Sequence, residues 1–140
     1  MYRVVLDTSV IVAALRTRLG AGNAVLQLVA NRRIVLLATP PLFLEYEEVL
    51  LRPEQRLANG LEPDEVQEFL AELAALIEPV ELHFRWRPQS RDPNDEMLVE
   101  AAINGRADAL VTYNISDFQD AGRRFGIRVL RPAELLKRMR

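Results

Sequence analysis

Short apolar runs alternate with longer amphipathic segments along most of the chain. Unbroken apolar runs are typical of strands buried on both faces, whereas apolar positions repeated every three to four residues predict helices that bury one face. The predicted strands are residues 2–6, 34–38, 79–82, 109–112 and 127–130. Strands and helices in alternation predict an α/β fold, in which a central parallel sheet is covered by helices on both faces.

The predicted helices fill the segments between these strands, and several begin with a recognisable signal. Thr39 precedes two prolines, and Pro132 stands at the first position of the last helix, both of which favour helix starts. The predicted helices are residues 10–15, 23–31, 40–51, 62–77, 93–104, a segment after Asn114, and 132–139. Residues 16–22 and 52–61 are predicted loops, and Gly105 is the predicted C-cap of the helix before it.

The helix that follows Asp92 carries an acid in an unexpected place. Asp92 is suited to the N-cap and Pro93 to the first helical position. At about 100° per residue, Asp95 falls on the same face as the apolar Leu98 and Ala102. A carboxylate that points toward a core is costly unless it is paired, hydrogen-bonded or bound to a metal. A capping box between Asp92 and Asp95 would also explain both residues, so Asp92 is interpreted as a cap or an auxiliary acid.

Further acids stand where predicted strands end or helices begin. Asp7 directly follows the first strand, Asn114 and Asp117 follow the fourth, and Glu45 lies in the first half of the third helix. In open parallel sheets, ligands bind beyond the carboxyl ends of the strands. The sequence therefore predicts that Asp7, Glu45, Asp95 and Asp117 converge there. Because clustered carboxylates repel each other, such a group would be stabilised by a divalent cation.

Composition narrows the possible chemistry. The chain has 140 residues, of which 49% are hydrophobic and 27% are charged, and this predicts one folded domain over residues 1–140. It has no cysteine and a single histidine, His83, which excludes thiolate sites and disfavours zinc sites and two-histidine catalysis. A carboxylate site for Mg²⁺ or Mn²⁺ needs neither residue.

The predicted compartment and the net charge narrow the possible functions very little. No apolar segment approaches the ~20 residues of a membrane span, and no signal-peptide pattern is present. We therefore expect a cytoplasmic protein with no membrane partner. The net charge of -2 does not decide whether the chain binds nucleic acid, because a local basic patch can lie on a nearly neutral protein.

Four pieces of the sequence, in order, resemble the motifs of PIN domains, and in particular of the VapC-type toxins of toxin–antitoxin systems. The matching pieces are residues 4–10, Glu45, residues 92–95, and residues 107–114 with 117–118. Each piece alone is weak, but together they span nearly the whole chain. The resemblance implies a three-layer α/β/α sandwich with a central parallel sheet.

The resemblance also implies an activity, a cofactor and partners. It implies a ribonuclease that uses Mg²⁺ or Mn²⁺, with Asp7, Glu45 and Asp95 as catalytic acids. Asp7 and Asp95 would be the closest metal ligands, and Thr8, Ser9 and Thr112 would orient the carboxylates. RNA would be the substrate, an antitoxin protein would cover the site, and a homodimer is a further expectation.

The chain departs from the family pattern at Asn114, where many relatives carry an aspartate. An asparagine can still bind a cation through its carbonyl oxygen, but it removes one negative charge. Asp117, which lies one helical turn further on, is the candidate to compensate, and the metal set is therefore Asp7, Asp95, Asn114 and Asp117. A weaker site or an altered metal requirement follows as a hypothesis.

Two other functions remain open from the sequence. A PIN-like module that binds nucleic acid or protein without cutting is compatible with Asn114, although three candidate acids argue against it. A phosphatase with an aspartyl nucleophile after the first strand would need a second aspartate two positions later, where this chain has Ser9. A phosphatase is therefore disfavoured.

Overall fold

The computed structural model describes residues 1–84 and 93–140. Its strands are β1 (Arg3–Leu6), β2 (Val35–Ala38), β3 (Ile77–Pro79), β4 (Ala109–Val111) and β5 (Arg128–Leu130). They form one sheet in the order β3-β2-β1-β4-β5, and every pairing is parallel. The predicted parallel sheet is confirmed.

Helices occupy most of the described chain between the strands. They are α1 (Thr8–Arg16), α2 (Ala21–Ala30), α3 (Pro40–Leu50), α4 (Pro53–Asn59), α5 (Pro63–Leu76), α6 (Pro93–Asn104), α7 (Ile115–Phe125) and α8 (Pro132–Arg138). Within residues 1–84 and 93–140, no helix combines the length and the apolar character that a membrane crossing requires.

The chain crosses the sheet in both directions. From β1 it moves to β2 and then β3, and it later returns across the sheet to β4 and β5. Since parallel crossovers are right-handed, the two directions place their helices on opposite faces. Helices α1 and α2 pack together, as do α6 and α7. The result is the predicted three-layer α/β/α sandwich.

Strand β1 is the centre of the core. Val4, Val5 and Leu6 are each 0% exposed, because β1 lies in the middle of the sheet and is covered on both faces. Leu6 pairs with Val111 of β4, and the backbone N–H of Asp7 donates to the Val111 carbonyl at 2.9 Å. The carboxyl ends of β1 and β4 therefore lie side by side.

The predicted loop at residues 52–61 is wrong, since most of it forms α4. Pro53 occupies the first helical turn, and Gly60 closes the helix in the left-handed conformation with a φ of 74°. None of the residues of α4 is buried. A helix without a buried stripe has no apolar periodicity by which the sequence could reveal it.

The third strand lies earlier in the chain than predicted. Helix α5 ends at Leu76, and Ile77 already has an extended backbone, with a φ of -73° and a ψ of 134°. The predicted residues 79–82 still follow the sheet at first, because the N–H of Val80 donates to the carbonyl of Ala38 at 3.0 Å. A helix that runs into a strand without a turn leaves no polar residues to mark the boundary.

Helix α6 ends at Asn104, as predicted, but its last turn is closed differently. The residue with a positive φ is Arg106, two positions after Asn104, with a φ of 53°. A Cβ on Gly105 would lie 2.9 Å from the Ala101 carbonyl oxygen and 3.0 Å from Cδ1 of Leu37. Gly105 is therefore required by close packing rather than by a left-handed backbone.

Candidate active site

Asp7 lies at the carboxyl end of β1, where it is the N-cap of α1. Its Oδ1 accepts a hydrogen bond from the backbone N–H of Ser9 at 3.4 Å, and its Oδ2 accepts one from the Thr112 hydroxyl at 2.7 Å. Thr112 Oγ1 in turn accepts a bond from the backbone N–H of Asn114 at 2.9 Å. Both carboxylate oxygens are thus oriented, and one is tied to the segment after β4.

Tyr46 of α3 contacts the backbone next to Asp7. Its side chain is 0% exposed, and its hydroxyl donates a hydrogen bond to the carbonyl of Leu6. Burial raises the pKa of Tyr46 far above its ordinary value, and the negative charge of Asp7 raises it further. The sequence identified Tyr46 only as part of the apolar face of α3. The one signal for more was that a buried tyrosine hydroxyl usually finds a partner.

Glu45 precedes Tyr46 and is half-buried. It lines an open cleft of about 510 Å³ together with Thr8 and Ser9, the two residues that follow Asp7. Its charge also contributes to the raised pKa of Arg52, although the hydrogen bond from Arg52 to Glu48 is the larger cause. The structure therefore places Glu45 on the same cleft as the two residues that follow Asp7.

Asp95 lies in the first turn of α6 and is half-buried. Helix α6 packs against α3, β1 and β4. It leads into β4, so it runs against the strand direction and its first turn lies toward the carboxyl edge of the sheet. The predicted partner of Asp95 in a capping box, Asp92, lies outside the described residues.

Asn114 and Asp117 also follow β4, but on the surface. Asn114 is the N-cap of α7, and both side chains are exposed. The backbone N–H of Asp117 donates to the Asn114 carbonyl at 3.1 Å. The contact of Asn114 with the Asp7 network is made by its backbone, through Thr112, and not by its amide side chain.

The candidate residues offer oxygen atoms of the kind that a hard, hydrated cation prefers. Carboxylate and amide oxygens suit Mg²⁺ and Mn²⁺. Within residues 1–84 and 93–140, no three acidic, histidine or cysteine side chains are grouped closely enough to hold a metal ion. Mg²⁺ is usually bound by one or two carboxylates and several water molecules. The Asp7 carboxylate, both of whose oxygens are oriented, is of the chemical type that would suit such a hydrated cation.

A comparison with protein families identifies the class of protein that this fold and site define. Residues 3–116 match the model of the PIN domain. The match covers most of the chain, so the chain belongs to the PIN domain family, as the sequence motifs indicated. A comparison with curated protein sequences finds no match.

Solved structures agree with the family at the level of the fold. One similar structure is VapBC2 from Rickettsia felis, bound to a DNA fragment from its promoter. It matches with a TM-score of 0.62 and 15% sequence identity, over 92% of this chain and 98% of the matched chain. At this identity the likeness establishes the architecture alone.

Proposed function

We propose that this chain is a Mg²⁺- or Mn²⁺-dependent endoribonuclease that hydrolyses phosphodiester bonds in single-stranded RNA. The observation that carries the proposal is the Asp7 carboxylate, whose two oxygens are oriented by Ser9 and Thr112 at the carboxyl edge of the sheet. In a PIN domain, the residues around this position form the candidate catalytic centre. The surrounding acids supply the ligand types that such a cation prefers.

Each acid has a role in this proposal. Asp7 and Asp95 hold the cation, while Asn114 and Asp117 are weaker ligands at the exposed rim. A bound cation would lower the pKa of a water molecule and offset the charge on the phosphoryl oxygens. Glu45 holds that water or accepts its proton. Thr112 and the backbone N–H of Ser9 hold the Asp7 carboxylate in orientation, while Thr8 and Ser9 also line the cleft.

The first test is cleavage of a mixed single-stranded RNA, in Mg²⁺ and in Mn²⁺, by the wild type and by Asp95→Asn. We expect metal-dependent cleavage by the wild type and a loss of about a hundredfold or more in the variant, which keeps the shape but loses the charge. Asp64→Asn is the matched control, because Asp64 is an exposed acid in the first turn of another helix. Equal cleavage by wild type and Asp95→Asn would mean a wrong site or a contaminating ribonuclease.

One observation favours a second candidate function, a PIN-like module that binds RNA or protein without cutting it. Within the described parts of the chain, the acids do not form a three-ligand group, and Asn114 lacks the charge that many relatives have. If neither metal supports cleavage and neither metal stabilises the fold, this second function replaces the first.

We also propose that the chain is the toxin of a toxin–antitoxin pair that acts on cytoplasmic RNA. This rests on the PIN family and on the similar fold of VapBC2. An antitoxin would place a basic side chain among the acids and so block cation binding. Expression of this chain alone should arrest growth, and Asp95→Asn should abolish the arrest. Normal growth with active wild-type enzyme would contradict the toxin role.

A further inference from the structure

We propose that Arg16 and Gln55 form a binding subsite for a phosphate of the RNA strand, away from the bond that is cut. This inference rests on the proposed function for its substrate class, although the binding that it predicts can be measured without cleavage. It concerns the open cleft already described beside Glu45, which we call the α1 cleft. Residues of α1, α3 and α4 line it, among them Thr8, Ser9, Arg16, Glu45, Arg52 and Gln55.

The α1 cleft is lined by the two residues that follow Asp7 and by one candidate catalytic acid, Glu45. Thr8 and Ser9 directly follow Asp7, and Glu45 lies on the opposite wall. Helix α1 has nine residues, and at 1.5 Å per residue its far end lies roughly 13 Å from its start. Arg16 stands at that far end. An RNA strand with its scissile phosphate near Asp7 would reach Arg16 a few nucleotides further along.

Arg16 is held in place by a partner that leaves its charge intact. Its guanidinium donates to Oε1 of Gln55 at 2.8 Å. A neutral amide orients the guanidinium but does not cancel its positive charge. An arginine fixed in this way is suited to a phosphate, because its planar fork can donate two parallel hydrogen bonds.

Arg52, the other arginine of the α1 cleft, is placed differently. It pairs with Glu48 at 3.0 Å, and this hydrogen bond is the largest cause of its raised pKa. Much of its positive charge is therefore balanced by nearby carboxylates. Arg16, whose hydrogen-bond partner is the neutral Gln55, therefore provides the charge that an anion would meet.

A phosphodiester strand is the ligand that fits this layout. The cleft is open to solvent, and its polar side chains are two guanidiniums, one amide, three hydroxyls and the Glu45 carboxylate. Phosphate contacts of this kind position a strand without reading its bases. The subsite would therefore raise the affinity for single-stranded RNA of any sequence.

The test is the binding of a fluorescent single-stranded RNA of mixed sequence in EDTA, where metal-dependent cleavage is blocked. We expect Arg16→Gln to weaken binding about tenfold, as for the loss of a charged hydrogen bond. The slope of log affinity against log salt should fall by about 0.7, the value for one phosphate contact on a single strand. Arg16→Lys should retain the slope but lose part of the affinity, since it keeps the charge and loses the fork.

Arg138→Gln is the matched control, because Arg138 is also an exposed arginine in the last turn of a helix. Equal weakening by Arg16→Gln and Arg138→Gln would indicate non-specific attraction and overturn the subsite. Unchanged binding by Arg16→Gln, in a protein that cleaves RNA, would also overturn the subsite while leaving the nuclease intact. Arg16-dependent binding in a protein that cleaves nothing would support the subsite and reject the nuclease.

Discussion

At the scale of single residues, one hydrogen bond joins the chain neighbours of two candidate catalytic acids, Glu45 and Asp7. Tyr46 follows Glu45, and its hydroxyl bonds the carbonyl of Leu6, the residue before Asp7. The backbone that carries Glu45 is thereby tied to the backbone that carries Asp7. Tyr46 is a positioning residue in this arrangement, because it acts on the acids through the main chain.

We expect Tyr46→Phe to destabilise the fold by about 1–3 kcal/mol, since the Leu6 carbonyl would be buried without its donor. We also expect weaker Mn²⁺ binding, measured directly by titration, because Asp7 would no longer be held in register with Glu45. Tyr2→Phe is a matched control. The Tyr2 hydroxyl is buried and has no hydrogen-bond partner among the described residues, so its removal should not lower the stability and should leave Mn²⁺ binding unchanged. Equal Mn²⁺ affinity in Tyr46→Phe and wild type would limit Tyr46 to a structural role.

The stability of the protein at alkaline pH provides a second test of the role of Tyr46. Its pKa is raised above the ordinary value of 10.0, so the folded protein keeps the proton at a pH where the unfolded chain loses it. The stabilisation is fully present below pH 10.0 and falls as the pH rises above that value. Chemical unfolding between neutral and alkaline pH should therefore show a smaller decline in Tyr46→Phe than in wild type. An identical decline in the two proteins would show that other ionisable groups determine the loss of stability at alkaline pH.

At the scale of the elements, close backbone approaches set the positions of the helices. Helix α7 contacts β5, and a Cβ on Gly122 would lie 2.7 Å from the Ile127 carbonyl oxygen and 2.8 Å from Cγ2 of Val129. A methyl group there would push α7 away from the sheet. Since Asn114 is the N-cap of α7, the placement of this helix also sets the rim of the candidate site.

We therefore expect Gly122→Ala to lower the free energy of unfolding by about 1–3 kcal/mol, the usual cost of overpacking. Denaturant unfolding measures this directly. Gln119→Ala, at an exposed position of the same helix, should change it by less than about 0.5 kcal/mol. A neutral Gly122→Ala would mean that α7 can shift without loss of packing.

Most elements, but not all, could be predicted from the sequence. The buried strands and the amphipathic helices can be recognised in the sequence, because burial imposes a regular pattern on the apolar residues. Helix α4 has no buried residue, so its sequence carries no such period. Its contribution is to place Gln55 against Arg16, which is a polar contact between distant segments that local patterns do not encode.

At the scale of the whole molecule, strand order decides which acids are neighbours. The sequence places acids after β1 and β4 and in helices α3 and α6, but it does not reveal that β1 lies between β2 and β4. That order puts Asp7 between the helix that follows β2 and the helix that leads into β4. The sequence could therefore predict which edge of the sheet holds the candidate acids and, through the family resemblance, that Thr112 orients a carboxylate, but not the hydrogen bond of Tyr46.

A bound cation should stabilise the whole fold if these acids form a metal site. At a free Mn²⁺ concentration of 100 times the dissociation constant, binding adds about 2.7 kcal/mol to the free energy of unfolding. The melting temperature should rise with Mn²⁺ concentration in the wild type, should not rise in Asp7→Asn, and should rise at lower concentration in Asn114→Asp, which restores a charge at the rim.

Asp64→Asn is again the control, and it should respond as the wild type does because Asp64 lies exposed at the start of α5. A rise that persists in Asp7→Asn would place the cation elsewhere. The absence of any rise, in a protein that still binds single-stranded RNA through Arg16, would identify a PIN domain that has kept its RNA-binding surface without a working metal centre. The residue then most directly implicated is Asn114, since it is the position at which the sequence departs from the expected family pattern.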